Sequence, residues 1–206
     1  MIAGCSPRTS ARAVEAEGSY QPAFAYVYRC EDDIRVVVRV EPESVRLERE
    51  LDVRTLPQVI AASGTRYSDG VVTFWSKGLS ARYETPDEKF ERCTGTPAQS
   101  PWEVSRLLGY DLRAIGQEPG WLVEVATGRR MHVLADYGEV EFFVDGPVRS
   151  DGPEREKVYT GAIQTGEVVL RVRETPCEDV MSGERFPLTA TLQLEGRKYS
   201  GCARYL

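Results

Sequence analysis

The stretch that decides the fold is Ala62–Gly78, ASGTRYSDGVVTFWSKG. Asp69-Gly70 is a strong two-residue turn signal between β-branched and aromatic residues, so the stretch reads as a β-hairpin. With a two-residue loop, Ser68 pairs with Val71, and counting outward sets Ser63 against Ser76 and Ala62 against Lys77. Ser63 and Lys77 then stand one step apart at the open end of the hairpin, each beside a glycine. A strict ladder points them to opposite faces, but Gly64 and Gly78 allow bulges and left-handed turns that re-aim their neighbours. Three readings of that end stand open: a Ser–Lys hydrolase, a pair of loops that plugs another protein's cleft, and ordinary turn chemistry.

Working outward, the strand pattern continues on both sides. AYVYRC (Ala25–Cys30) and IRVVVRV (Ile34–Val40) alternate or run β-branched. In SVRLERE (Ser44–Glu50) Val45 and Leu47 face inward, with Leu51 a further candidate, while Arg46, Glu48 and Glu50 face water. Leu56–Ser63 and Leu79–Thr85 extend the series, and many short strands at this spacing suggest an antiparallel barrel or sandwich. TGTPAQSPWE (Thr94–Glu103) has the composition of a linker, with Ser100 capping a short helix over residues 102–108 behind Pro101. A second strand series follows in GWLVEVAT, RMHVLADY, EVEFFVDG, EVVLRVRE, LTATLQLEG and KYSGCARYL. The chain is thus expected to be all-β: a lipobox remnant and flexible tether over residues 1–19, a barrel or sandwich over 20–95 and a second β-rich domain over 96–206.

A net charge of −6 over 206 residues argues against nucleic-acid binding, which needs a basic surface. No apolar run approaches the roughly 20 residues of a membrane-spanning helix. Of the five cysteines none forms a zinc spacing, and His132 is the only histidine, so no metal or cofactor is expected. Cys30 and Cys93 fall in the first series and Cys177 and Cys202 in the second. Local pairing within each is the simplest reading and implies an oxidising compartment; buried free thiols in a cytosolic protein are the alternative. Cys5 closes IAGC (Ile2–Cys5), which resembles a bacterial lipobox with a lipidated cysteine. Only four residues precede it, which the reading ascribes to a start inside the signal peptide or a misassigned start codon. A periplasmic protein anchored by lipid in the outer membrane of a Gram-negative envelope is the expected setting, with Ser6–Gly18 as the tether.

The run from Tyr26 to Cys93 resembles the membrane-bound lysozyme inhibitor of c-type lysozyme family. The resemblance rests on Tyr26, Tyr28 and Cys30, then Ser63-Gly64-x-Arg66-Tyr67, then Phe74-Trp75-x-Lys77-Gly78, then Cys93. It implies a small antiparallel barrel closed by a disulfide over residues 20–95, with two loops that enter a lysozyme's active-site cleft, and the second domain is expected to be a barrel-like unit closed by its own disulfide. By motif position Ser63 and Lys77 meet the catalytic carboxylates, Gly64 and Gly78 allow close backbone approach, and Arg66, Tyr67 and Trp75 support the loops. The segment from Glu41 to Ser63 is more charged than the family pattern. The implied chemistry is sound, since a glycosidase cleft holds two acidic groups. A basic lysozyme would also be steered toward an acidic inhibitor.

Ordinary readings stand beside these. Ser63-Gly64 fits a turn, Phe74 and Trp75 fit a core, and Lys77 fits an edge lysine that blocks aggregation. A Ser63/Lys77 hydrolase needs a buried, neutral lysine, which nothing in the pattern predicts, so the chain is not read as an enzyme. His132 alternates with Met131 and Val133 and is expected on the surface. The second half resembles a small bacterial envelope domain through Gly116, Glu118, Pro119 and Trp121, and through Met181, Ser182, Gly183, Pro187, Gly201 and Cys202. That resemblance implies an envelope location and no activity; Glu118, Asp136 and Asp179 are candidates to line a pocket there. The competing reading of the whole is a structural or ligand-binding envelope lipoprotein that does not inhibit lysozyme.

Overall fold

The computed structural model describes residues 23–206, and the lipobox at Cys5 with its tether lies outside them. Eight strands come first: β1 (Ala25–Arg29), β2 (Arg35–Val40), β3 (Ser44–Arg49), β4 (Asp52–Val59), β5 (Thr65–Ser68), β6 (Thr73–Lys77), β7 (Ser80–Glu84) and β8 (Lys89–Ala98). Each pairs antiparallel with the next, and β1 also pairs with β8, so the sheet closes into a barrel. Alternation decides which side chains fill it. Val36, Val38, Val45, Leu47, Leu56 and Phe74 point inward and are almost wholly buried. Leu51 lies in the β3–β4 turn and is 53% exposed, against the inward expectation. Cys30 and Cys93 are bonded, tying the end of β1 to the middle of β8.

The last barrel strand runs on through Ala98, because Thr94–Ala98 pair with β1. The linker expected to start at Thr94 is therefore strand up to that point. Ser100 caps helix α1 (Pro101–Leu107) by accepting from Glu103 N at 3.2 Å. The helix packs Val104, Leu107 and Leu108 on the outer barrel wall at Ala25, Val27, Val37 and Ala98.

Ten of the remaining strands matter here. They are β9 (Leu112–Gln117), β10 (Gly120–Ala126), β11 (Arg130–Ala135), β12 (Val140–Asp145), β13 (Val148–Asp151), β14 (Lys157–Ile163), β15 (Gly166–Arg173), β16 (Cys177–Glu178), β18 (Leu188–Leu194) and β19 (Arg197–Tyr205). A short β17 (Arg185–Phe186) pairs only with β16. The others form a nine-stranded antiparallel sheet in the order β12-β11-β10-β9-β19-β18-β15-β14-β13. It curls into a half-barrel around Val123, Val125, Met131, Tyr159, Leu170 and Leu192. Cys177 and Cys202 are bonded, fixing β16 to β19.

A buried polar cluster joins α1 to this second sheet. The Glu124 carboxylate accepts from Ser105 of α1, from Arg113 of β9 at 2.5 Å and from His132 Nδ1 at 3.1 Å. His132 Nε2 lies 2.8 Å from Glu141, and its ring lies against Phe143. The His132 side chain is only 15% exposed, so it is not the surface residue that its strand pattern suggested. Ionised carboxylates only accept, and a neutral imidazole has a single N–H, so satisfying both neighbours requires the imidazolium. Burial opposes that charge, but the hydrogen bonds and charges of Glu124 and then Glu141 outweigh it and raise the His132 pKa. Burial likewise opposes the Glu124 charge, and His132, Arg113 and Ser105 overcome it, lowering that pKa.

The sign of the pH dependence follows. A raised histidine pKa contributes stability that is complete below about 6.5 and is lost as pH rises through the folded-state value. With one histidine in the chain, an imidazole NMR titration should give a single midpoint above about 6.5. The melting temperature should fall across the same interval, and His132→Gln should flatten that fall. A midpoint at or below the ordinary value would refute the clamp.

Candidate functional site

In a barrel of antiparallel neighbours, successive connections alternate between the two ends. The β2–β3 connection (residues 41–43), the β4–β5 connection (60–64) and the β6–β7 turn (78–79) therefore share one mouth. Ser63, Gly64, Lys77 and Gly78 all belong to that mouth.

The hairpin that brings them there differs from the sequence expectation, each partner being displaced by two residues. Ser68 pairs with Thr73, Tyr67 with Phe74, Arg66 with Trp75 and Thr65 with Ser76. The loop is thus four residues, Asp69 to Val72. Two forces lengthen it. Val72 is drawn into the core, 1% exposed, while Val71 stays out. The Asp69 carboxylate caps the loop by accepting from Val71 N at 2.8 Å and Val72 N at 2.7 Å. Those hydrogen bonds, from Val72 first, hold the Asp69 pKa below its usual range.

At the mouth, β6 and β7 are joined by a two-residue turn, with Lys77 opposite Ser80 and Gly78 at φ +61°. Gly64 has φ +66°, and a Cβ there would lie 2.3 Å from the Ser76 carbonyl oxygen. The Trp75 indole N–H donates to the Ser63 carbonyl at 2.8 Å, clasping the loop to β6. The Arg82 guanidinium covers the Trp75 ring, 5.7 Å from its centroid. Arg66 is exposed beside Trp75 across the ladder. Tyr67 points into the barrel, 7% exposed, with its phenol pKa raised by burial.

The Ser63 and Lys77 side chains are both exposed. Neither makes a hydrogen bond or ion pair among the described residues. This is not the buried, mutually bonded pair that a Ser–Lys nucleophile requires. It is a hydroxyl and an ammonium presented outward from two glycine-adjacent loops.

Between the loops lies a depression of about 380 Å³, open at the mouth. Tyr26, Tyr28, Tyr67 and Phe74 form its aromatic floor, and Val40, Lys77 and Leu79 its rim. Burial, then the neighbouring Tyr26 and Tyr67, push the Tyr28 phenol up to about 12. Sequence reading missed Val40 and Leu79 as site residues. Their signal was present, since each is an apolar residue placed at a strand end or turn where a polar one is usual.

The acidic candidates of the second half do not line the depression at the barrel mouth. Glu118 sits exposed in the β9–β10 turn. Asp136 accepts from Arg197 at 2.6 Å and from the Tyr199 hydroxyl at 3.3 Å. Asp179 caps its own turn through Met181 N, Ser182 N and the Ser182 hydroxyl, with Gln117 as a fourth donor. These are structural duties.

The two glycines separate cleanly by substitution. Gly64→Ala meets both a left-handed backbone and the Ser76 carbonyl, and should cost well over the roughly 1–2 kcal/mol expected of the backbone alone. Gly78→Ala has nothing within 4 Å of the new methyl and should cost only the backbone amount. Urea unfolding of both variants checks this; equal losses would contradict the close approach at Gly64.

The family model described as membrane-bound lysozyme-inhibitor of c-type lysozyme matches residues 28–91. A protein of Yersinia enterocolitica serotype O:8 / biotype 1B, named membrane-bound lysozyme inhibitor of C-type lysozyme, is 66% identical over 35 residues. That stretch is 17% of this chain and 29% of the relative, so the chain spans less than a third of the curated protein it matches. No solved structure matches the chain. Over residues 28–91, which hold both mouth loops and most of the barrel, the chain is similar to the membrane-bound inhibitors of c-type lysozyme.

Proposed function

We propose that this protein inhibits a c-type lysozyme by inserting the Ser63 and Lys77 loops into the enzyme's active-site cleft, protecting a bacterial cell wall. The observation that carries the reading is the exposed, unpaired Lys77 ammonium beside the Trp75-clasped Ser63 loop at one barrel mouth. A glycosidase cleft offers two carboxyl groups, at least one of them ionised during turnover. An ammonium and a hydroxyl satisfy that pair without presenting a glycosidic bond, so the cleft is filled and nothing is cleaved. Gly64 and Gly78 keep the loop backbones slim, Arg66 and Trp75 brace them from the ladder, and Tyr67 fixes β5 from within. The protein acts in this reading as a binding partner and not as an enzyme.

The setting is proposed on the same footing: lipid on Cys5, attachment to the outer membrane and a periplasmic barrel. The barrel is taken as one domain and the half-barrel sheet as a second envelope domain. Oxidised Cys30–Cys93 and Cys177–Cys202 are consistent with such a compartment.

A charge-assisted contact in a desolvated interface is worth about 1.5–3 kcal/mol, so Lys77→Ala should weaken inhibition by roughly 10- to 150-fold. Ser63→Ala should cost about fivefold if its hydroxyl makes one neutral hydrogen bond. Both side chains are exposed, so melting temperatures should not move. Inhibition constants against a purified c-type lysozyme, with melts alongside, test this. An intact fold with unchanged inhibition by Lys77→Ala would refute loop insertion.

A further inference from the structure

We propose that the barrel mouth is itself a receptor: an apolar side chain from the lip of the lysozyme cleft seats in the depression between Val40 and Leu79. These two residues then set affinity, and choice among lysozymes, alongside the loop tips. The inference rests on the lysozyme-inhibitor reading and adds a second contact of opposite sense, the enzyme entering the inhibitor.

Three observations carry it. Val40 is 62% exposed and Leu79 48%, and both border one cavity with Lys77, so aliphatic surface and an unpaired cation share a rim. Among the described residues, Lys77 is the only charged one lining that cavity. The floor beneath is aromatic and rigid, with Phe74 meeting Tyr28 edge-on at 5.0 Å.

Exposed aliphatic residues are ordinary, and the opposite barrel end has Leu51 and Val71, 53% and 56% exposed. Neither of them borders the depression at the mouth, which is the difference. The partner's chemistry fits the same rim. In a lysozyme the acid carboxyl is kept protonated by an apolar pocket, so apolar surface and carboxyl groups lie side by side. A cation flanked by aliphatic surface is the matching pattern, and a partner side chain in the depression would exclude water from the Lys77 contact.

The test compares Leu79→Ala, Val40→Ala, Val40→Thr, Val71→Ala and Lys77→Ala by inhibition constants against two c-type lysozymes that differ at the cleft lip. Val40→Thr retains the β-branched shape suited to the strand end and changes only polarity. Leu79→Ala and Val40→Ala should each weaken inhibition by about tenfold, short of the roughly 30-fold that marks an interface hot spot. Val40→Thr should follow Val40→Ala, Val71→Ala should change nothing, and the loss at Val40 should differ between the two enzymes. If Lys77→Ala weakens inhibition while the Val40 and Leu79 variants match wild type, the receptor proposal is overturned and loop insertion stands. If wild type inhibits neither enzyme, or Lys77→Ala is silent, the underlying reading fails and this proposal falls with it.

Discussion

Closure of the first sheet governs everything that follows from it. Tyr26 pairs with Val38 on one side and Pro97 on the other, and Tyr28 with Val36 and Gly95, so β1 leaves the barrel no open edge. Closure depends on a small residue at one point. A Cβ on Gly95 would lie 2.7 Å from the Tyr28 ring, so glycine there is what lets that ring lie flat across the β1–β8 seam. With the ring closed, eight strands must send alternate connections to opposite ends. The β5–β6 register, with Thr65 opposite Ser76, sets the Ser63 and Lys77 loops side by side, and closure brings the β2–β3 connection round to the same mouth.

The second half is held by a different balance. Its apolar core is conventional for a curled antiparallel sheet, but its attachment to α1 runs through a buried carboxylate. Removing Glu124 from water is tolerable only because Ser105, Arg113 and His132 answer it together. The barrel side adds a direct ion pair, Arg130 with Glu50 at 2.8 Å, and a hydrogen bond from Arg35 to the Leu107 carbonyl at 3.0 Å. Surface pairs of this kind contribute little singly. The apolar seat of Val104 on the barrel wall and the Glu124 cluster supply most of the junction.

Much of this was legible in the sequence, and the failures have physical causes. Alternation in Ser44–Arg49 assigned both faces of β3 correctly, and the Ser100-Pro101 pair marked the start of α1. The cysteines pair within their own strand series. The Asp69-Gly70 signal located the hairpin but not its length, because burial of Val72 and capping by Asp69 outweighed the two-residue preference. Strands β13 and β14 escaped notice; β13 is an exposed edge strand of charged and small residues, VRSD, with no inner face to create a pattern. His132 was misplaced since alternation reports which face a residue takes and not what covers that face. Val40 and Leu79 look like ordinary strand and turn residues until closure sets them around one opening.

The Trp75 clasp has a kinetic meaning. A free five-residue connection would surrender about 1–2 kcal/mol of backbone entropy per residue on being fixed against a partner. Here part of that ordering is already done: Gly64 is locked under the Ser76 carbonyl, and the indole pins the Ser63 carbonyl to β6. Such preorganisation lets a docked loop keep more of its contact energy as affinity. It also removes a conformational search from the encounter, leaving docking to diffusion and charge, with differences between complexes expressed as residence time.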